Sequence, residues 1–153
     1  EYFNDLAGLK VQHIPYGGGA PIITAFGSGQ IQMAFVTGLD GATGVASGKV
    51  RYLAVAAPTR TDAVPGLPAI AEDVPGFKAV VWFGLLAPKG VPDDIAAKLS
   101  TTIAKVMQRP EMRKFFIDRN VEPRGSTPDE LAQMIDAELA QWGPLIKKAG
   151  ITM

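Results

Sequence analysis

The sequence predicts an α/β protein, with a mostly parallel sheet flanked by helices, and three observations carry that expectation. Apolar, β-branched runs at Val11 to Tyr16, Ile31 to Val36 and Val50 to Ala57 alternate with helical patterns. Tight glycine-bearing turns join them: Tyr16 to Ala20, Gly27-Ser28-Gly29, Thr37 to Gly41 and Ser47-Gly48. The runs IQMAFV and VRYLAVAA are nearly continuous in apolar residues, as strands covered on both faces would be.

Taken in order, Glu1 to Gly8 reads as the last turns of a helix with Gly8 as its C-cap. Nothing upstream supplies an N-cap, so the chain is expected to begin inside an element, as a fragment would. Val11 to Tyr16 is a strand, and Ala20 to Phe26 a short helix with Pro21 in its first turn, where the missing N–H costs nothing. After strand Ile31 to Val36, Thr37 to Gly41 reads as a second polar turn and Ala42 to Ala46 as a weak helical turn. Val50 to Ala57 is the next strand. Pro58 to Gly76, broken by Pro58, Pro65, Pro68 and Pro75, reads as a surface connection between structural units. Only Ala69 to Asp73 could hold a helical turn there.

Phe77 to Pro88 is strand-like, with Gly84 marking a bend or a close backbone contact. Pro92 then opens a helix whose apolar face is Ile95, Leu99, Ile103 and Val106. Glu111 to Arg119 is a shorter helix and Val121 to Arg124 is extended. Thr127-Pro128-Asp129-Glu130 has the form of a capping box with Pro at the first helical position. The final helix is expected to bury Leu131, Met134, Ile135, Leu139 and Trp142, and to kink at Gly143-Pro144.

Composition narrows the function. The chain has 153 residues, 47% apolar and 20% charged, with net charge +0. That is the length of one ordinary globular domain, and its neutrality without a Lys/Arg cluster argues against a nucleic-acid partner. The absence of cysteine excludes disulfides and thiolate chemistry, and a single histidine excludes a His-rich metal site. No apolar run is long enough to span a bilayer. No leader is visible, but a secreted protein numbered from its mature form would look the same.

Catalytic constellations are scarce. His13 has no Ser or Cys partner in a nucleophile context and reads as a core or edge-strand histidine. The loop Gly17-Gly18-Gly19-Ala20 lacks the Lys-Ser/Thr of a P-loop and the spacing of a dinucleotide fingerprint. Asp93-Asp94 and Asp129-Glu130 sit at helix starts and Lys147-Lys148 near a helix end, where they complement the helix dipole. Two features favour binding. The turns Gly17 to Ala20 and Thr37 to Leu39 follow predicted parallel strands, the edge where open α/β sheets hold ligands. Free N–H groups at a helix start suit a carboxylate or a phosphate, although a plain tight connection would look alike. Tyr16 and Trp82 could wall a small pocket, with ordinary core packing the other reading of Trp82.

In sequence order, these motifs resemble the substrate-binding receptors of tripartite tricarboxylate transporters, the Bug or TctC-like family. The matching stretches are Leu6-Ala7-Gly8, His13-Ile14-Pro15-Tyr16 with the glycine loop, Gly29 to Met33, and Ala46 to Val55. They continue through Arg60, Pro65 to Pro68, Ala71-Glu72, Pro75 to Phe77, Trp82 to Gly84, Ala87-Pro88 and Val91-Pro92. Ala140 to Trp142 and Ala149 to Ile151 complete the pattern.

The resemblance implies a type II periplasmic binding fold that closes two lobes over a small organic carboxylate. The receptor would pass it, in the periplasm, to the membrane components of a transporter, with no cofactor and no metal. Family members are about twice this long and the match is to their C-terminal half. Residues 1–78 would then form most of the second ligand-binding lobe and 79–153 the C-terminal part of the first, with the missing N-terminal half as partner. Tyr16, Gly17, Gly18, Gly19 and Ala20 correspond to a ligand-contacting loop, and Thr37, Gly38 and Leu39 to a second pocket-lining segment. Many relatives carry an acidic residue where this chain has Val36, and a Thr where it has Ala69.

A flavodoxin-like enzyme domain binding a phosphate ester at the same loops is the alternative, and a fragment that only packs against its missing half is a third. The receptor reading makes two structural expectations. The two glycine turns should lie side by side at the carboxyl edge of one mostly parallel sheet, and apolar surface should be exposed where partner strands would pack.

Overall fold

The computed structural model describes residues 1–150, so Ile151 of the resemblance above lies outside the described residues. Among the described residues six α-helices form: α1 Tyr2–Ala7, α2 Gly19–Gly27, α3 Gly38–Ala46, α4 Asp93–Met107, α5 Pro110–Ile117 and α6 Pro128–Lys148, with a single 3-10 turn at Ile70–Glu72. None of these is long and apolar enough to cross a membrane. The chain divides into two compact units. Unit 2 comprises Phe3–Trp82 and Lys114–Glu122; unit 1 comprises Glu1–Tyr2, Phe83–Arg113 and the chain from Pro123 onward.

Local chemistry accounts for the helix ends. Gly8 at φ 64° closes α1, and the N–H of Leu9 reaches back to the carbonyl of Asn4 at 2.9 Å. That left-handed conformation is the one a glycine C-cap supplies. At the end of α2, Gly29 and Gln30 donate to the carbonyls of Phe26 and Ala25 in the same capping pattern. Thr127 begins α6 with the expected reciprocal box: its hydroxyl accepts from Glu130 N–H at 3.2 Å, and the Glu130 carboxylate accepts from Thr127 N–H at 2.8 Å.

Unit 2 holds the core. Ala25, Ile31, Ala63, Ala69 and Phe77 are its buried apolar residues. Phe3, Phe35 and Phe77 stack mutually with ring centroids 5.6 to 5.8 Å apart, a spacing favourable for aromatic clusters. Helices α2 and α3 pack directly, because Gly44 is buried with the Ile23 side chain over it.

Unit 1 pairs α4 with α6. Gly125 lies so close to Ala104 that a Cβ would fall 2.6 Å from its Cα, and Ser100 donates to the Ser126 carbonyl at 2.8 Å. Trp142 meets Tyr2 edge-on at 5.5 Å and its indole N–H donates to Glu138.

Several expectations are corrected. The segments read as strands lie outside any helix, but among the described residues no sheet ladder joins them. The pairing present is an isolated parallel bridge between Val55 and Ala69, made by Val55 N–H to Pro68 O and Ile70 N–H to Val55 O. A strand closes its hydrogen bonds only on a neighbour, and here neighbours in register are lacking. IQMAFV is therefore not covered on both faces, since Met33 and Phe35 are exposed, and in VRYLAVAA Leu53 is 60% exposed.

Other corrections are local. Pro58 to Gly76 lies within unit 2 rather than leading out of it, and supplies Ala63 and Ala69 to the core. The region Thr37 to Gly41 is not a loop but the start of α3. On α4, Ile95 and Leu99 of the expected apolar face are exposed, as is Leu139 on α6.

Candidate functional site

The sequence-nominated residues all fall in unit 2. Gly18 stands at the N-cap of α2 with φ 150° and ψ −178°, a conformation closed to residues with a Cβ, and no side chain caps that end. Pro21 has no N–H, so the backbone donors of this end are Gly18, Gly19 and Ala20. Open space surrounds Gly17 and Gly18 on their side-chain faces, where a Cβ would meet nothing within 4 Å. Together with the dipole of a nine-residue helix, these amides favour an anion in front of them.

The second turn is built differently. Thr37 is the N-cap of α3 and its hydroxyl oxygen accepts from Asp40 N–H at 3.2 Å. The same hydroxyl donates to the Asp40 carboxylate at 2.7 Å. Gly38 and Leu39, the first two helical positions, keep backbone N–H groups without intrahelical acceptors. Leu39 projects into solvent, 57% exposed.

The structure brings the two turns together. A Cβ on Gly19 would overlap the Asp40 carboxylate, so the first turn of α3 lies directly against the first turn of α2. The two turns are therefore adjacent, with Asp40 as the contact, but among the described residues the parallel sheet whose edge was expected to carry them is not formed. Its negative charge sits beside the uncapped, positive end of α2, which is favourable. Tyr16 and Trp82 are both half-buried, and among the described residues no ring contact joins them. No group of three or more His, Cys, Asp or Glu side chains gathers among the described residues.

Three residues of this region were not singled out from the sequence. Asp40 was legible, because Thr37-Gly38-Leu39-Asp40 has the Thr-x-x-acid form of a helix start. Tyr52 packs its ring over Gly41, where a Cβ would fall 2.6 Å from ring carbon Cε1. Its hydroxyl donates to the Gly38 carbonyl at 3.1 Å. Asn120 takes φ 57° and donates through Nδ2 to the Tyr52 hydroxyl at 3.0 Å. Desolvation raises the Tyr52 pKa, and the Asn120 hydrogen bond offsets part of that rise.

Solved structures share the fold of this chain. The chain is similar to R. palustris Rpa4515, solved with adipate, at 30% identity and TM-score 0.82, over 98% of this chain and 50% of that one. It is similar to the periplasmic binding protein BugD at 27% identity and TM-score 0.73, over 98% and 51%. The fold is that of periplasmic binding proteins, represented over about half of their length.

The chain belongs to the tripartite tricarboxylate transporter family receptor group, TctC, which it matches over residues 1–151. Among curated relatives, a UPF0065 protein from the clcB-clcD intergenic region of Pseudomonas knackmussii is 31% identical over 142 residues, 92% of this chain and 84% of that protein. Further curated relatives are matched over less than half their length, 42% to 46%. The family is named as a receptor family and BugD as a periplasmic binding protein.

Proposed function

We propose that this chain is part of an extracytoplasmic solute-binding receptor that captures a small organic carboxylate for a tripartite tricarboxylate-type transporter. One observation carries the reading: the first turn of α2, which no side chain caps and which has open space on the Cβ side of Gly17 and Gly18, lies against the first turn of α3. A carboxylate there receives several backbone hydrogen bonds and the favourable end of a helix dipole. In this reading Tyr16, Gly17 to Ala20, Thr37 to Leu39 and Trp82 contact the ligand. The receptor has the type II two-lobed form and works in the periplasm. Residues 1–78 contribute most of one lobe and 79–153 part of the other.

Membership of the family and the adipate held by one solved neighbour support a dicarboxylate as the first ligand to try. The same reading assigns the exposed apolar residues near Phe83 a cover, supplied by an N-terminal half of the receptor and consistent with the length of the relatives.

The test is titration calorimetry with mono- and dicarboxylates, adipate among them, on the receptor at the full length its gene encodes. Gly18→Val should abolish binding, since it blocks the approach to the amides and adds roughly 1 kcal/mol or more of backbone strain. Tyr16→Phe should cost at most about 0.5–1.5 kcal/mol, one neutral hydrogen bond. His13→Ala should leave affinity unchanged. Binding lost in His13→Ala and retained in Gly18→Val would overturn the reading and favour an enzyme with a histidine at work.

A further inference from the structure

We propose that Tyr52 and Asn120 are positioning residues for ligand recognition, acting on the Leu39 amide through the carbonyl of Gly38. This rests on the receptor reading above, in which the first turn of α3 lines the ligand site.

The Gly38 carbonyl receives the Tyr52 hydroxyl at 3.1 Å and, more weakly, Asn120 Nδ2 at 3.4 Å. Asn120 also donates to the Tyr52 hydroxyl at 3.0 Å, which aligns the phenol's own proton toward Gly38. The Gly38 carbonyl and the Leu39 N–H belong to one peptide unit. Donors on the carbonyl fix the plane of that peptide and polarise it, making Leu39 N–H a better directed and stronger donor. Leu39 is the second helical position of α3, so its N–H is available to a ligand.

The local sequence is shaped to admit this pair. A Cβ on Gly38 would overlap the Asn120 backbone and a Cβ on Gly41 would strike the Tyr52 ring. Both glycines are needed for the two side chains to close on the helix start. Asn120 is held by its own segment: Asn120 and Val121 donate to the carbonyls of Ile117 and Phe116, capping α5, with Asn120 in the left-handed region. Asparagine tolerates that position better than most residues and, unlike glycine, brings an amide donor to it.

Two variants remove the donors while keeping the scaffold: Asn120→Gly retains the left-handed backbone, and Tyr52→Phe retains the ring over Gly41. Each should weaken adipate binding by roughly three- to tenfold, the worth of one modest hydrogen bond. Each should also shift the Leu39 amide proton upfield in the ligand-free NMR spectrum, a signature that loss of stability alone does not give. Adipate affinity and the Leu39 resonance unchanged in both variants, with wild-type receptor binding adipate, would overturn this inference and leave the receptor reading intact. Wild-type receptor that binds neither adipate nor any other carboxylate of the panel overturns the receptor reading, and this inference with it.

Discussion

Phe77 and Phe83 stand in one apolar run, Phe77 to Pro88, yet Phe77 is 2% exposed and Phe83 87%. The first belongs to unit 2, where Phe3 and Phe35 stack on it; the second opens a segment of unit 1, followed by the equally exposed Leu85 and Leu86. The contrast extends through both units. Among the described residues, Ala25, Ile31, Ala63, Ala69 and Phe77, the buried aliphatic and aromatic core, all lie in unit 2, whereas the α4 and α6 pair of unit 1 leaves Leu99 and Leu139 in solvent. Hydrophobicity states that a residue would gain from burial; whether it is buried depends on a partner surface being present. Unit 2 holds its own partners in α2, α3 and the aromatic cluster. Unit 1 relies on its helix caps, the close crossing at Gly125 with the Ser100–Ser126 hydrogen bond, and the Tyr2–Trp142 ring contact.

This difference predicts unequal responses to substitution. Phe77→Ala should destabilise unit 2 by about 3–5 kcal/mol, the cost of emptying an aromatic site, while Phe83→Ala should change stability by no more than about 0.5 kcal/mol. Urea melts followed by circular dichroism compare the two directly. A large loss on Phe83→Ala would mean that Phe83 is covered in solution.

Steric probes sharpen the comparison. Gly41→Ala drives a methyl into the Tyr52 ring of unit 2, and Gly125→Ala drives one into the Ala104 backbone of unit 1. Both should cost about 1–3 kcal/mol by overpacking. The larger loss is expected at Gly125, because backbone can shift less than a ring. Hydrogen exchange should localise each loss to its own unit, α3 for the first and α4 with α6 for the second.

The smallest effects are at the caps. Thr127→Ala should remove about 1 kcal/mol from α6, and Thr37→Ala about as much from α3, as measured by thermal melts. Acid should reach both units through glutamates. Thr127's backbone N–H, then its hydroxyl, hold the Glu130 carboxyl below its ordinary range. The Arg60 guanidinium, then Ala69 N–H, do the same for Glu72, where the pair lies 2.7 to 2.9 Å apart. A carboxyl with a depressed folded pKa stabilises fully above its unfolded value, and that contribution disappears as pH falls through the folded one. A melting temperature that falls on acidification below the ordinary glutamate range, and falls less in Glu130→Gln, is the expected result. Both glutamates are solvent-exposed, so the effect is small.

The sequence by itself determined what is settled over a few residues. The Gly8 stop, the Thr127 box, the α2 start beside the glycine loop and the α4 and α6 helices were all legible, because a helix closes its hydrogen bonds within its own turn and its caps lie three or four residues away. The start of α3 was legible too, in the spacing of Thr37 and Asp40, although glycine content pointed to a loop. Tertiary structure decided the rest. The apolar runs at Ile31 and Val50 carry a strand's composition, but pairing needs a neighbour in register, and among the described residues only Val55 of these runs forms a bridge, at Ala69. The Tyr52 and Asn120 bonds to Gly38 join residues 14 and 82 positions away from it. No local pattern encodes such a meeting; the packed fold creates it.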